Sequence, residues 1–476
     1  MTGRSSPHTR KSSPQHRGLY TADRSGEQEP HIAYAARRGV DPLTGAFVRR
    51  HFIAPWQDSE PVMEPDADAT VECIFETPRA QSAVAYVHVP YCQNHCLFCG
   101  FFQNVWRADV SAAFVDDVIA EVSRLAHKPL IASAPIEAVY IGGGTPSALL
   151  ADDLSRLVAG LRRHLPLSSD CEFTVEGRAY DFGLAKAVAA LDAGANRISL
   201  GIQSFDTDVR RRLGRKASGT EAKTFLADLV ALGRASVGCD LIYGLPGQTQ
   251  EIWRRDIEAA IDLRIDGLTI YALNIWPGGP LSQAIGAGKL AAAGALPFQA
   301  ECYGKAADLL IAAGWGQASQ AHFRRSARER NRYNRLIKAG APCLGFGPGA
   351  GSQAHGHSWR NIVDIARRRT LIADSRMPIE GLVRLARDHC ARTAIASGLE
   401  DGVLDIAAID RLAEGFAEAA QPLLEDWATA GLGHIGAARF RTTRAGAFWI
   451  TTLTKGLYAV LARLRPNVQT PKEILT

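Results

Sequence analysis

Residues 86–100 read YVHVPYCQNHCLFCG and place Cys92, Cys96 and Cys99 within eight residues. They follow a β-branched run at Ala83–Val89 that predicts a strand. Three cysteines on one loop can bend around a single centre, and thiolates select iron–sulfur clusters or zinc. No fourth cysteine or histidine pair stands nearby at zinc-finger spacing. On a cubane cluster, three ligands would leave one iron open to a small molecule. Core or reactive cysteines that cluster by chance are the alternative interpretation.

The composition is typical of a soluble globular enzyme. The chain has 476 residues, of which 46% are hydrophobic and 22% charged, so global disorder is excluded and two or three domains are expected. The 54 basic and 49 acidic side chains leave a net charge of +5, which gives no reason to expect a nucleic-acid partner. Nine cysteines, an odd number in a chain too large to need disulfides, favour a reduced, cytoplasmic setting. We predict no membrane span, because proline or several glycines interrupt the long uncharged stretches 267–288 and 339–359.

The hydrophobic pattern divides the chain into four predicted parts. Residues 1–30 are predicted to be a disordered tail and residues 31–79 an N-terminal extension packed on the main domain. Residues 80–365 alternate strands with helical segments, and residues 366–476 form a small C-terminal domain with strand-like runs at 431–443 and 448–452. This alternation implies parallel βα units, hence a closed or partial (β/α) barrel or a doubly wound sheet. The six predicted strands are Ala83–Val89, Ala138–Ile141, Glu172–Val175, Arg197–Ile202, Cys239–Tyr243 and Leu268–Ile275.

The unusual residues of the main domain stand at the carboxyl ends of these strands, where the active sites of both architectures lie. Each also has a plainer interpretation. A glycine triplet is typical of a tight turn and a lone glutamate of a helix cap, and Arg215 lies in a basic run that suggests a solvated helix face. In strand order, these residues are the cysteine loop, Gly142–Thr145, Glu176, Gln203 and Asp240.

Taken together, the motifs resemble the radical S-adenosylmethionine (radical SAM) superfamily, and within it the coproporphyrinogen III dehydrogenase (HemN)-like branch, over residues 83–359. The resemblance implies an α/β fold: a partial (β/α)6 barrel with an N-terminal extension and a small, winged-helix-like α+β lid at the C-terminus. It implies a [4Fe-4S] cluster on Cys92, Cys96 and Cys99, with SAM chelating the open iron. An electron from the cluster would cleave SAM to methionine and a 5′-deoxyadenosyl radical.

The resemblance also implies which residues contact SAM. Arg215 would pair with the methionine carboxylate, and Glu176 suits the ribose hydroxyls or the sulfonium. Asp240 and Ile242 would lie near the adenosine and Ala272 beneath the adenine, although a small residue there also suits barrel packing. The implied set is Tyr86, Phe98, Gly143, Gly144, Thr145, Glu176, Gln203, Arg215, Asp240, Ile242 and Ala272.

Three stretches resemble the heme-degrading (HutW/ChuW-type) radical SAM methyltransferases of that branch: 99–104 (CGFFQN), 321–334 and 343–351. Phe101 stands where the decarboxylase HemN has a further cysteine. The resemblance implies that heme is methylated by way of a second SAM, opened to a linear tetrapyrrole and stripped of iron, with electrons from a donor such as a flavodoxin. A mobile surface loop is the alternative for the glycine-rich stretch. The residues implied for heme or the second SAM are Tyr333, Gly351, His322 and His355.

Three other functions stay open at this point. A HemW-type heme chaperone would keep the cluster and SAM motifs without turnover. A HemN-type dehydrogenase is disfavoured by Phe101. A zinc or structural iron–sulfur protein without radical chemistry is least favoured, because Gln203, Arg215 and Asp240 accompany the cysteines in the order that the branch shows.

Overall fold

A computed structural model describes residues 31–51, 53, 58–63, 66–100, 102–374 and 376–464. The predicted tail (1–30) and Phe101 lie outside these described residues. Asp41 caps the first α-helix, because its carboxylate accepts a hydrogen bond from Thr44 N at 2.8 Å. The N-terminal elements are α1 (Pro42–Gly45), β1 (Glu60–Pro61) and α2 (Asp66–Glu76).

Six parallel strands form the centre of the fold, as the sequence predicts. The main domain contains β2 (Ala83–Val89), β3 (Tyr91–Cys92), β4 (Asn104–Val105), α3 (Ser111–Leu125), α4 (Pro129–Ala132), β5 (Ile136–Gly143), α5 (Ala151–His164), β6 (Leu167–Gly177), α6 (Leu184–Asp192), β7 (Arg197–Gln203), α7 (Thr207–Arg212), α8 (Gly219–Leu232), β8 (Ser236–Tyr243), α9 (Gln250–Asp262), β9 (Gly267–Ala272), α10 (Pro280–Gly286) and α11 (Leu296–Ala312). Strands β2, β5, β6, β7, β8 and β9 pair in parallel in that order. The predicted α/β class is therefore confirmed, and the sixth strand ends at Ala272 rather than at Ile275.

The two faces of these strands differ in chemistry, because alternate side chains point to opposite sides. In β6, Phe173 and Val175 are fully buried in the hydrophobic core under the helices. Glu172, Thr174 and Glu176 occupy the other face, which is the interior of the barrel. The helices cover the apolar face; as predicted, α3 does so with Phe114, Val118, Val122 and Leu125.

The sheet extends beyond the parallel strands at both edges. The added elements are β10 (Gly316–Gln317), β11 (His322–Arg324), α12 (Arg332–Lys338), β12 (Cys343–Phe346), β13 (Gly351–Ala354), β14 (His357–Asn361), α13 (Ile365–Ala373) and β15 (Ile379–Arg384). β12 continues the sheet in parallel next to β2, and β13, β14, β15 and β1 follow in antiparallel order. At the other edge, β11 pairs with β9 and β10 with β11, both antiparallel. Most of these strands have only two to five residues and lack the β-branched runs that mark the central strands in the sequence.

Residues 325–338 close the amino ends of the central strands. Glu329 is 1% exposed and accepts hydrogen bonds from Arg197 at 2.8 Å and from Ser236 at 2.6 Å, the first residues of β7 and β8. Glu172 accepts a bond from Arg332 N at 2.7 Å, which ties the start of α12 to β6. The barrel is therefore filled by protein at this end.

The C-terminal residues form helices and a three-stranded antiparallel sheet in the order β16-β18-β17. These elements are α14 (His389–Glu400), β16 (Val403–Asp405), α15 (Ile406–Asp410), α16 (Phe416–Thr429), β17 (Gly433–Gly436), β18 (Arg439–Thr442), α17 (Arg444–Phe448) and α18 (Ile450–Leu464). The run 431–443 contains β17 and β18. The expected strand at 448–452 is wrong: Phe448 ends α17, which Thr443 caps by accepting a hydrogen bond from Gly446 N at 3.2 Å, and Ile450 begins α18.

The winged-helix-like character of this part and the predicted division of the chain into domains stay predictions. β15, which lies beyond the expected boundary at residue 365, pairs with β14 and with β1 of the N-terminal part. Among the described residues, no helix is both long and apolar enough to cross a membrane.

Candidate functional site

The three cysteines lie on a loop that is tied at its ends and in its middle. At the ends, β3 pairs with β4, and Trp106 N donates a hydrogen bond to the Cys92 carbonyl at 2.8 Å. In the middle, Leu97 N donates to the carbonyl of Leu213 at 3.1 Å. This anchoring fixes where the loop presents its thiols.

Cys92, Cys96 and Cys99 all line one open cavity at the carboxyl ends of the central strands, with a volume of about 200 Å³. Cys92 and Cys96 are buried and Cys99 is half-buried. The other lining residues are Asn94, Phe98, Phe102, Gly143, Gly144, Thr145, Pro146, Glu176, Gly177, Arg178, Gly201, Gln203, Arg215 and Asp240.

The donor set around this cavity fits an iron–sulfur cluster. In the described part of the chain, no three His, Cys, Asp or Glu side chains are close enough together to hold a single metal ion. A cluster instead spreads its thiolate ligands over several irons, so three thiols around a cavity suit it. Thr145 Oγ1 donates to Cys92 Sγ at 3.2 Å, while burial raises the pKa of the Cys92 thiol.

Gly143 and Gly144 hold the loop after β5 against the cysteine loop. Gly143 has a φ of +103°, and a Cβ there would lie 2.7 Å from the His88 ring. A Cβ on Gly144 would lie 2.6 Å from the Tyr91 carbonyl oxygen. The absence of side chains therefore lets the two loops touch, and this contact places Thr145 beside Cys92.

One side of the cavity is cationic. Arg215 is 8% exposed, and its Nη1 donates to Cys96 Sγ at 3.7 Å. Arg210 lies behind it, where its guanidinium donates to the carbonyl oxygens of Ala217 and Ile202, both at 2.7 Å. Burial, together with the neighbouring Arg215, lowers the pKa of Arg210 to about 10. The interpretation of this basic run as a solvated helix face is therefore wrong for both arginines.

Another side of the cavity is acidic. Tyr140 OH donates to Glu176 Oε1 at 2.5 Å. Burial, assisted by the nearby charge of Asp240, raises the pKa of Glu176 to about 7, and burial also raises the pKa of Asp240. A ligand that carries a carboxylate at one end and hydroxyl donors at the other matches this polarity.

Gln203 is aimed into the cavity by an irregularity in β7. The β7–β8 register shifts between Gly201 and Gln203, and Gln203 has a φ of +73°. Such bulges redirect side chains and are common near active sites. Gln203 Oε1 is buried and has no hydrogen-bond partner among the described residues, so it can accept a bond from a ligand.

Three residues predicted to contact SAM stand outside the cavity lining. Tyr86 lies inside the barrel, where its hydroxyl is 3.0 Å from His88 Nδ1. Ile242 packs in a small apolar cluster that also includes Phe98, which does line the cavity. Ala272 packs against the main hydrophobic core.

The residues predicted for heme or a second SAM are not brought together. His322 is 3% exposed at the closed end, with Nε2 3.1 Å from Glu329 Oε1. Tyr333 lies inside the barrel, its ring 4.7 Å from that of Tyr140. Gly351 begins β13 and is exposed, and the exposed His355 lies 3.1 Å from the Thr77 carbonyl oxygen through Nε2. Their assignment to a substrate stays a prediction.

Sequence reasoning missed three polar or aromatic residues of the lining: Asn94, Phe102 and Arg178. Arg178 stands two residues after Glu176, in a loop that the strand pattern already marks as part of the site. The position of Arg178 near the site was therefore visible in the sequence, but the direction of its side chain was not.

Fold and site together define a radical SAM protein. The family model of the radical SAM superfamily matches residues 86–260. Among solved structures, coproporphyrinogen III oxidase (HemN) from Escherichia coli superposes with a TM-score of 0.71 and 23% identity, covering 84% of this chain and 94% of that chain. The two proteins therefore share a fold.

Anaerobilin synthase of Escherichia coli O157:H7 is 39% identical over 416 residues, which cover 86% of this chain and 92% of that protein. The heme chaperone HemW of Mycobacterium tuberculosis is 28% identical over 347 residues, 72% of this chain and 87% of that protein. The chain belongs to the HemN-like branch of the radical SAM superfamily, in the family of anaerobilin synthase. This confirms the resemblance seen in the motifs.

Proposed function

We propose that this chain is a radical SAM enzyme that methylates and opens the porphyrin ring of heme anaerobically and releases the iron. The observation that supports heme as the substrate is the 39% identity to anaerobilin synthase over 92% of that protein. The name of that relative denotes formation of a bilin, a linear tetrapyrrole. A [4Fe-4S] cluster with SAM supplies a carbon-centred radical, which side chains alone do not provide.

The side chains of the cavity hold and orient these groups. Cys92, Cys96 and Cys99 ligate the cluster. Arg215 takes the methionine carboxylate beside Cys96, on the cationic side of the cavity. On the acidic side, the carboxylate of Glu176 accepts hydrogen bonds from ribose hydroxyls once it is ionised.

An apolar rim beside the cysteine loop suits a flat macrocycle. Ile275 and Trp276 follow β9 at the same end of the barrel and are 39% and 45% exposed. Trp276 Nε1 would lie 3.4 Å from a Cβ built on Gly100, the residue after Cys99. Because porphyrin faces stack on aromatic rings, Trp276 is the proposed heme contact.

Replacing Trp276 with alanine should weaken heme binding about tenfold, since stacking and the buried indole area are both lost. The dissociation constant is measured by following the heme absorbance during titration of cluster-loaded protein. Leu412→Ala removes a comparably exposed apolar side chain elsewhere and should leave heme affinity unchanged. Equal affinities of the wild type and the Trp276 variant would remove Trp276 from the heme site.

Anaerobic incubation of cluster-loaded protein with heme, SAM and a one-electron reductant tests the function, with mass spectrometry of the tetrapyrrole. Loss of heme with appearance of a methylated, iron-free product supports the proposal. Heme that stays bound and unchanged beside a reducible cluster contradicts it and favours a HemW-type chaperone. Consumption of coproporphyrinogen III in place of heme would instead indicate a HemN-type dehydrogenase.

The proposal includes a reducing partner and a cytoplasmic location. Radical formation needs a low-potential electron, and a flavodoxin is a suitable one-electron donor. Buried cysteines that form no disulfide favour a reducing compartment, and Cys92 and Cys96 are of this kind. Reduced flavodoxin should sustain product formation in place of the chemical reductant; product formed only with the chemical reductant would contradict this donor.

A further inference from the structure

A second guanidinium faces the sulfur that Arg215 contacts. Arg178 follows β6, and its side chain is 11% exposed in the cavity wall. Its Nη1 lies 4.0 Å from Cys96 Sγ, against 3.7 Å for Arg215 Nη1. Cys96 is thus approached by two cations, whereas the hydrogen bond to Cys92 comes from the neutral hydroxyl of Thr145.

Arg178 is held in this position by its own contacts. Its Nη2 donates to Asp181 Oδ2 at 2.8 Å, and Asp181 is almost fully buried. Ser147 Oγ joins the two residues: it donates to Asp181 at 2.6 Å and accepts from Arg178 N at 3.1 Å. Asn94 Oδ1 lies 3.3 Å from Nη1, which ties the guanidinium to the cysteine loop itself.

The two guanidinium groups next to Cys96 favour an anion there. Asp181 pairs with Arg178, but among the described residues Arg215 donates hydrogen bonds only to the Cys96 sulfur and to the Gly201 carbonyl. Arg178 Nε is buried without a hydrogen-bond partner in the described part of the chain. A cluster ligated by three thiolates becomes more negative when it is reduced, and nearby donors and cations tune its potential.

We infer that Arg178 is a positioning residue for the cluster, which orients the Cys96 thiolate and stabilises the reduced cluster through its charge. The inference rests on the cluster site of the proposed function but not on heme. It assigns different tasks to the end of β6 and to the residue that follows the strand: Glu176 lies on the acidic side of the cavity, and Arg178 faces the cluster.

The test is the midpoint potential of the cluster, measured by spectroscopically monitored titration without SAM or heme. Arg178→Gln should shift it to a more negative value by about 59 mV, which corresponds to a tenfold change in a one-electron equilibrium. Arg178→Lys keeps the charge, so its midpoint potential should return most of the way to the wild-type value. Arg211→Gln removes an equal charge from the exposed face of α7 and should change nothing.

Asp181→Asn provides an independent variant if Arg178→Gln does not load a cluster. It leaves the Arg178 charge uncompensated and should move the potential in the positive direction. A wild-type potential in Arg178→Gln, a Lys variant displaced as far as the Gln variant, or a potential in Asp181→Asn that does not rise would overturn the inference. A wild-type protein that forms no cluster would instead contradict the proposed function.

Discussion

The two ends of the barrel are built differently. At the carboxyl ends of the strands, an open cavity collects three thiols, and Gln203 Oε1 is left without a partner among the described residues. At the amino ends, Glu329 is enclosed and both its oxygens accept hydrogen bonds, from Arg197 and Ser236. Polar groups of this barrel therefore line an open cavity at one end and pair with one another inside the fold at the other.

The two ends meet in the interior of the barrel. Asp240 lines the cavity and is hydrogen-bonded to Thr269, whose hydroxyl is 3.2 Å from His322 Nδ1. His322 in turn contacts Glu329. If the polar groups at the closed end serve folding alone, substitutions there should change the stability of the protein without changing cofactor binding.

The largest effect is expected at the open end. Cys96→Ala should abolish cluster assembly, because two thiolates cannot replace three ligands around the cavity. Iron content and the visible absorbance of the reconstituted protein measure this. Cys390→Ala, which removes an exposed free thiol, is the matched control. A full-intensity cluster spectrum in the Cys96 variant would refute the ligand assignment.

At the closed end, Glu329→Gln should destabilise the fold by about 3–5 kcal/mol, because it leaves the buried Arg197 without its counter-ion. Urea unfolding of the variant measures the loss. Asp208→Asn, in an exposed ion pair, should change the free energy of unfolding by less than about 1 kcal/mol.

The same Glu329 variant also separates the two ends of the barrel through SAM binding. The folded protein should keep its wild-type SAM affinity, since Glu329 does not line the cavity and reaches Asp240 only through His322 and Thr269 in the described network. A parallel loss of affinity and stability would show that the two ends act as one unit.

Arg215→Ala should weaken SAM binding about 10- to 100-fold, the effect of losing one charge-assisted contact of about 1.5–3 kcal/mol. Calorimetric titration of cluster-loaded protein measures the affinity, and Arg211→Ala on the exposed face of α7 serves as the control. The cluster should still assemble. SAM affinity equal to that of the wild type would exclude the carboxylate role.

The smallest effect concerns pH. Because the pKa of Glu176 is raised to about 7, its carboxyl is largely protonated at pH 6 and ionised at pH 8. Only the ionised form accepts bonds from both ribose hydroxyls, so SAM affinity should fall about fivefold from pH 7 to pH 6 through this group. Glu176→Gln should lack this step. Superimposable pH profiles of the variant and the wild type would rule out the role.

Local signals made much of the fold and site predictable. The spacing of the cysteines and the alternation of strands with helices act over short distances in sequence, and the six parallel strands and α3 follow from them. Arg178 and Gln203 depend instead on a turn and a bulge, which set the direction of a side chain and leave no mark in composition.

The closed end could not be predicted, because it joins residues far apart in the chain. Arg197 and Glu329 are separated by 132 positions, and their pairing depends on how residues 325–338 fold back under the strands. Arg210 shows a different limit: its basic run is typical of a solvated surface, yet its side chain is buried and donates to carbonyl oxygens six to eight residues away in the chain.

The proposed function is tested most directly with SAM that carries three deuterium atoms on its methyl group, incubated anaerobically with heme, reductant and cluster-loaded protein. We expect one deuterium in 5′-deoxyadenosine, because the 5′-deoxyadenosyl radical would abstract it from the methyl group of the second SAM, and a labelled one-carbon unit in a linear, iron-free tetrapyrrole. Both should be absent with Cys96→Ala. Unlabelled 5′-deoxyadenosine together with heme recovered unchanged would contradict this function.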